Sequence, residues 1–197
     1  WVPVKVGDLI SESETISTGF QSEARLNLNG SILAVAALTR VKIETLKTSD
    51  SGDNVALYQD VGVTRSKVNH TNNKRINYST RTAVAVASVR GTDYTIRSNG
   101  KLRTGQGSVG YSSNKSYSKI MASGKAGSMP ADTIYVNKGQ YGIMNNGFMK
   151  KSTKIISKKR KMQKGVKTAS ENDKSSYKFF NDKPEKSWEL RVIVKEN

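Results

Sequence analysis

The chain has 197 residues, enough to bury a core without staples, and no cysteine, which excludes disulfides, thiol nucleophiles, Cys-ligated zinc and iron–sulfur clusters. No apolar run approaches the roughly 18 residues of a membrane-spanning helix, and the sequence opens at Trp1 with no visible leader. The net charge of +17 is regional: residues 1–60 hold 5 Lys/Arg against 8 Asp/Glu, residues 61–170 hold 22 against 2, and residues 171–197 hold 6 of each, a distribution that points to a directed field.

In chain order, the first 145 residues read as strands. Alternation of apolar and polar residues marks ARLNL (Ala24, Leu26, Leu28), RVKIETL (Val41, Ile43), NVALY (Val55, Leu57) and TIYVN (Ile134, Val136), as expected where one face of a strand is buried and the other is wet. SILAVAAL at 31–38 and TAVAVASV at 82–89 are more continuously apolar and predict strands buried on both faces. Asn29-Gly30 predicts a tight hairpin, and Ser51-Gly52-Asp53-Asn54, Ser98-Asn99-Gly100 and Asn137-Lys138-Gly139 predict further turns, since Asn and Gly tolerate positive φ. Many short strands with regular turns give an all-β domain: a β-roll, a β-helix-like stack or a sandwich.

Residues 111–130 (YSSNKSYSKIMASGKAGSMP) are Ser-rich and lack a pattern, so they predict a long loop. Residues 146–170 hold nine Lys/Arg and no acid, with a helical spacing of Met149, Ile155, Ile156, Met162 and Val166; a basic helix and a disordered arm are both compatible with them. WELRVIV at 188–194 reads as one more strand. The domain plan is therefore a β domain over 1–145, a basic linker or arm over 146–187, and a C-terminal strand over 188–197 that can rejoin the β domain.

Chemical motifs are sparse. GQGSVG at 105–110 fits the spacing of a dinucleotide loop, but the helix that would meet the pyrophosphate is not expected after it, so strand and turn glycines explain it better. Gly124-Lys125 lacks the glycine and hydroxyl spacing of a P-loop. His70 is the single histidine, in a polar turn, with no second His or Cys to share a metal or complete a triad. Asp50 and Asp53 lack the register of a calcium loop, and Glu12 and Glu14 read as solvated charges. No catalytic residue, no metal and no cofactor is expected.

Several short motifs, taken in order, carry a resemblance. Gly7-Asp8, Thr18-Gly19, Gly30-Ser31 and Thr39-Arg40 punctuate the first 46 residues; DVGVTRSKV follows at 60–68, TAVAVASVRGTDYTI at 82–96, GQGSVGY at 105–111 and VNKGQYGIM at 136–144. Over roughly residues 1–145 the chain resembles the FecR domain family. That resemblance implies an all-β roll or β-helix-like domain in the periplasm or at a cell surface. It also singles out Arg90, Gly91, Thr92 and Asp93, which read physically as a structural corner: Gly91 permits a sharp turn, Thr92 and Asp93 can bond neighbouring amides, and Arg90 carries five donors. The matched region includes neither the membrane helix nor the cytoplasmic anti-sigma segment of the family's best-known members.

The functional expectation is a non-enzymatic binding or scaffold module of the cell envelope, with periplasmic signal transduction as the alternative. Its partner would be a protein, a cell-wall polymer or an anionic surface, contacted by Lys150, Lys151, Lys154, Lys158, Lys159, Arg160, Lys161, Lys164 and Lys167. Nucleic acid is not expected, because no aromatic residue is interleaved within that run. Whether Arg65, Lys67, Lys74 and Arg75 share a face with it is for the fold to decide.

Overall fold

The computed structural model describes residues 1–50, 52–69, 75–124, 128–145, 148–152 and 192–195. Its strands form two sheets. One has nine strands in the spatial order β1 (Val2–Val4), β16 (Val192–Lys195), β2 (Thr15–Thr18), β5 (Arg40–Ser49), β6 (Gly52–Val61), β8 (Arg75–Arg81), β9 (Ala85–Val89), β12 (Ser108–Ser113) and β13 (Ile134–Asn137). The other has seven, in the order β15 (Phe148–Ser152), β14 (Tyr141–Asn145), β11 (Lys101–Gln106), β10 (Asp93–Arg97), β7 (Val63–Lys67), β4 (Ser31–Val35) and β3 (Ala24–Leu28). Neighbours are antiparallel except β6 and β8, whose connection passes through β7 in the opposite sheet. Of the expected all-β architectures, the sandwich is the one observed.

Alternation builds the interior. Ala24, Leu26 and Leu28 of β3, Val41 and Ile43 of β5, and Val55 and Leu57 of β6 point inward into one shared core. At the β3–β4 hairpin, Asn29 and Gly30 both take positive φ (51° and 80°), as a two-residue turn requires when its twist must match that of the strands.

Two apolar stretches with similar sequences have different fates. Ala85, Val86 and Ala87 are buried on both faces because a helix, α1 (Asn114–Ala122), lies against β9 and β12. SILAVAAL departs from the expectation: β4 ends at Val35, only Ser31, Leu33 and Val35 face inward, and Ile32 is exposed on the outer face of the sheet. The expected loop over 111–130 is also corrected, since its first residues complete β12 and the next nine form α1. The Ser113 side chain caps α1 by accepting a hydrogen bond from Ser116 N at 3.1 Å. Docking on the sheet supplies what the helix's own composition lacks.

The core is polar at chosen points, and there the two sheets are fastened together. Tyr78 of β8 bonds Ser66 of β7 at 3.1 Å, and Tyr94 of β10 bonds Thr80 of β8 at 2.7 Å. Thr64 of β7 donates to Gln59 Oε1 of β6 at 2.7 Å, and Gln59 Nε2 donates to the Gly62 carbonyl at 2.7 Å. Thr104 of β11 donates to the Val136 carbonyl at 2.9 Å, and the Tyr111 hydroxyl donates to the Gly100 carbonyl. Each bond satisfies a group whose burial would otherwise cost about 1–3 kcal/mol.

A second knot closes one end of the sandwich. Thr18 Oγ1 donates to the Ala36 carbonyl at 2.5 Å and accepts from Thr39 N at 3.0 Å, while Thr39 Oγ1 accepts from Val63 N at 3.0 Å. Gly62 sits against this knot with φ +93°, and a Cβ there would stand 2.1 Å from Thr39 Oγ1 and 2.6 Å from Thr39 Cα. Gly62→Ala is therefore expected to cost about 3 kcal/mol, lowering Tm by about 6–12 °C. Thermal denaturation checks this, and an unchanged Tm would mean that the knot yields freely.

Candidate partner-binding face

Arg90, Gly91, Thr92 and Asp93 form the corner between β9 and β10. Gly91 takes φ +119°. Thr92 is buried; its hydroxyl donates to the Ser108 carbonyl at 3.1 Å, and its own carbonyl accepts from Val68 N at 3.0 Å. Gly107 packs so closely on this corner that an added Cβ would lie 3.0 Å from both Gly91 O and Thr92 Oγ1. Arg90 points to solvent.

Asp93 turns the other way, onto the outer face of the seven-stranded sheet. There it accepts a two-pronged bond from Arg65, Nε to Oδ1 at 2.9 Å and Nη2 to Oδ2 at 2.5 Å. The register of β10 on β11 shifts at Asp93, leaving Gly105 beside the carboxylate, where an added Cβ would stand 3.5 Å from Asp93 Cγ. The hydrogen bond to Asp93 raises the Arg65 pKa above its ordinary value, against the lowering effect of burial. Asp93→Asn is expected to cost about 1–2 kcal/mol, a charge-assisted fork discounted for the partial exposure of Arg65. Urea unfolding measures the loss, and full stability in the variant would remove the fork from the account.

That outer face is strongly basic. Alternation directs Arg25 of β3, Arg65 and Lys67 of β7, Arg97 of β10, and Lys101 and Arg103 of β11 outward, while the residues between them enter the core. Among the described residues, two carboxylates lie beside these cations: Asp93, bound to Arg65, and Glu23, bound to Arg25 at 2.9 Å. The Arg103 guanidinium sits over the Tyr141 ring, 5.9 Å from its centroid. The outer face of the nine-stranded sheet carries two ion pairs, Arg40 with Asp60 and Arg81 with Glu44, with Arg81 also lying over Tyr58 at 4.5 Å, and Lys42 and Arg75 stand on it as further cations.

The basic residues singled out in the sequence are thus partly distributed. Arg65 and Lys67 share the basic face, Arg75 is exposed on the nine-stranded sheet, and Lys74 lies outside the described residues. Lys150 and Lys151 belong to β15, paired in register with Ile143 and Gly142 at the edge of the basic sheet. Lys154, Lys158, Lys159, Arg160, Lys161, Lys164 and Lys167 lie outside the described residues, as does His70. The contributions of Arg25, Arg97, Lys101 and Arg103 went unrecognised in the sequence, although Arg65-Ser-Lys67 and Lys101-Leu-Arg103 carry the signal, cations two apart across a buried residue.

Among the described residues no three His, Cys, Asp or Glu side chains gather as a metal site. Asp53 is buried at the start of β6, and Asp50 is exposed in the turn before it. GQGSVG spans the end of β11 and the start of β12, with Gly107 at φ +79° in the bend between them. No described helix is long and apolar enough to cross a membrane.

No family model matches the chain, and no curated protein matches it. Among solved structures, two crystal structures of a "putative anti-sigma factor" from Parabacteroides distasonis are similar to it, each with a TM-score of 0.51, at 17% and 16% identity. Both matches cover 70% of this chain and 58% of that one, so they span little more than half of that protein. At such identity the likeness is one of fold: the chain shares the β architecture of that protein.

Proposed function

We propose that this chain is a non-enzymatic recognition domain of an anti-sigma-type signalling system, placed in the periplasm or at the cell surface, and that it acts by binding a protein partner. The observation that carries this reading is the shared fold with the Parabacteroides distasonis protein. The ordered motifs that resemble the FecR family support it independently, including the Val-Arg-Gly-Thr-Asp run at 89–93. The chemistry of the interior supports a binding role as well: the buried Tyr78 and Tyr94 phenols and the Gln59 amide bond to groups on the facing sheet.

A scaffold at an anionic envelope surface is the competing role, favoured by the excess of cations on one sheet face. The two separate in the native host. Deleting the coding sequence for residues 1–145 and measuring transcripts should change a discrete regulon several-fold under the signalling role. An unchanged transcriptome accompanied by an envelope defect would favour the scaffold and contradict the proposal.

A further inference from the structure

We infer that the free edge of β3 is where an extended, acidic segment of a protein partner docks, by adding to the seven-stranded sheet as one further strand. This deepens the protein-partner reading above and rests on it.

Register shows which backbone groups the edge offers. The β3–β4 hairpin turns through Asn29 and Gly30, between Leu28 and Ser31. The pair that closes a two-residue turn exchanges both of its backbone bonds, and bonded pairs then recur at every second residue. Leu28 with Ser31, Leu26 with Leu33 and Ala24 with Val35 therefore bond within the hairpin. Arg25 and Asn27 aim their N–H and C=O groups the opposite way, off the sheet, because β3 is its terminal strand. Their side chains bond locally, Arg25 to Glu23 and Asn27 to Gly30 N, which leaves the backbone groups untouched. Among the described residues nothing pairs with those groups.

The other sheet ends are blunted. β1 carries Pro3, which has no N–H to donate. On β13 the Val136 carbonyl already accepts from Thr104 of the facing sheet. β15 bears Lys150 and Lys151, and lysine is a common guard of an edge. β3 has neither proline nor lysine, and its register is regular over all five residues. A strand of that kind is a template for β-strand addition.

Burial and charge say what adds there. Ala24, Leu26 and Leu28 face the core, and Arg25 and Asn27 face outward. An added strand follows the same pleat, so its inward residues are apolar, to sit beside Leu26, which keeps 8% exposure. A second copy offers such a strand, but each copy carries +17, and charges of that size repel. The same charge attracts an acidic polypeptide.

The test uses the full chain, isotope-labelled, and an acidic probe peptide in which valine alternates with threonine and glutamate. Its controls are the same peptide with methylated backbone amides, and one with lysine in place of glutamate. In the free chain the Arg25 and Asn27 amides should exchange fast, and those of Leu26 and Leu28 slowly. Saturating peptide should slow the Arg25 and Asn27 amides by about tenfold or more. The methylated peptide should bind at least about tenfold more weakly, and so should the lysine peptide at low salt. N27P removes an outward N–H while the bonds of Ala24, Leu26 and Leu28 to β4 remain, and should cost about five- to tenfold in affinity. N27S, which loses the side chain but keeps the backbone, should change affinity by less than about twofold. If N27P fails to fold, the methylated peptide makes the same test on the unaltered chain.

No binding of the probe, equal affinity for the methylated peptide, or slow exchange of Arg25 and Asn27 in the free monomer would overturn the inference. A dimer in sedimentation that N27P dissociates would assign the edge to a second copy instead. The signalling role fails separately: a peptide that binds while deletion leaves every transcript unchanged keeps the edge and removes the role, and an altered regulon without peptide binding does the reverse.

Discussion

Between about pH 10 and pH 12 this protein is expected to lose stability steeply, on the order of 3 kcal/mol from Tyr94 alone. Burial pushes the Tyr94 phenol from its ordinary value of 10.0 up to about 12, and the hydrogen bond to Thr80 offsets only part of that. Below pH 10 the folded and unfolded chains both hold the proton, and the full stability is present. Between the two values the unfolded chain ionises while the folded one does not, so unfolding releases a proton and is favoured by each rise in pH. Burial moves Tyr78 and Tyr111 in the same direction, which deepens the loss. An alkaline titration that follows tyrosinate absorbance and circular dichroism together checks this. The buried phenols should ionise as the β signal collapses; if all eight tyrosines titrate near pH 10 with the β signal intact, the interior is not as described.

Removing the Tyr94 hydroxyl alone should be costly as well. Tyr94→Phe leaves the buried Thr80 hydroxyl without the partner it has at 2.7 Å, an expected loss of about 1–3 kcal/mol, or about 2–12 °C in Tm. Thr80→Val should cost a similar amount for the same reason. The double variant should recover much of the sum, because two apolar groups then face each other with nothing left unsatisfied. Strict additivity in urea or thermal unfolding would mean that the two hydroxyls do not depend on each other.

The ladder to which this pair belongs explains which parts of the fold were legible in the sequence. Strand period and turn chemistry are local, so ARLNL, NVALY and the Asn29-Gly30 hairpin could be read directly. Which faces are covered is decided by other elements. SILAVAAL and TAVAVASV look alike, yet Ile32 is exposed and Val86 is buried, because among the described residues a helix, α1, lies against the second. That helix was itself hidden, since NKSYSKIMA has neither strong propensity nor a strong apolar stripe and depends on the Ser113 cap and the sheet beneath. The pairing of Tyr78 with Ser66, or Tyr94 with Thr80, follows from strand order across two sheets, which no local pattern encodes.

The same limit applied to the candidate surface. A contiguous run such as KKRK draws the eye, whereas Arg25, Arg65 and the β10–β11 hairpin that carries Arg97 and Arg103 lie far apart in the chain and come to one face only through antiparallel register. The charge asymmetry of residues 61–170 foretold a directed field. Five of those cations, Arg65, Lys67, Arg97, Lys101 and Arg103, stand on one sheet face, a placement that came with the fold.

The central claim, the proposal that this domain acts by binding a protein partner, is tested most directly by site-specific photo-cross-linking in the native host. A photoreactive residue placed at Lys67 or Lys101 on the basic face should yield one discrete protein adduct, and the same residue at Asn77, on the outer face of the other sheet, should yield none. Adducts to lipid alone from the basic face, or the same protein captured equally from Asn77, would contradict it.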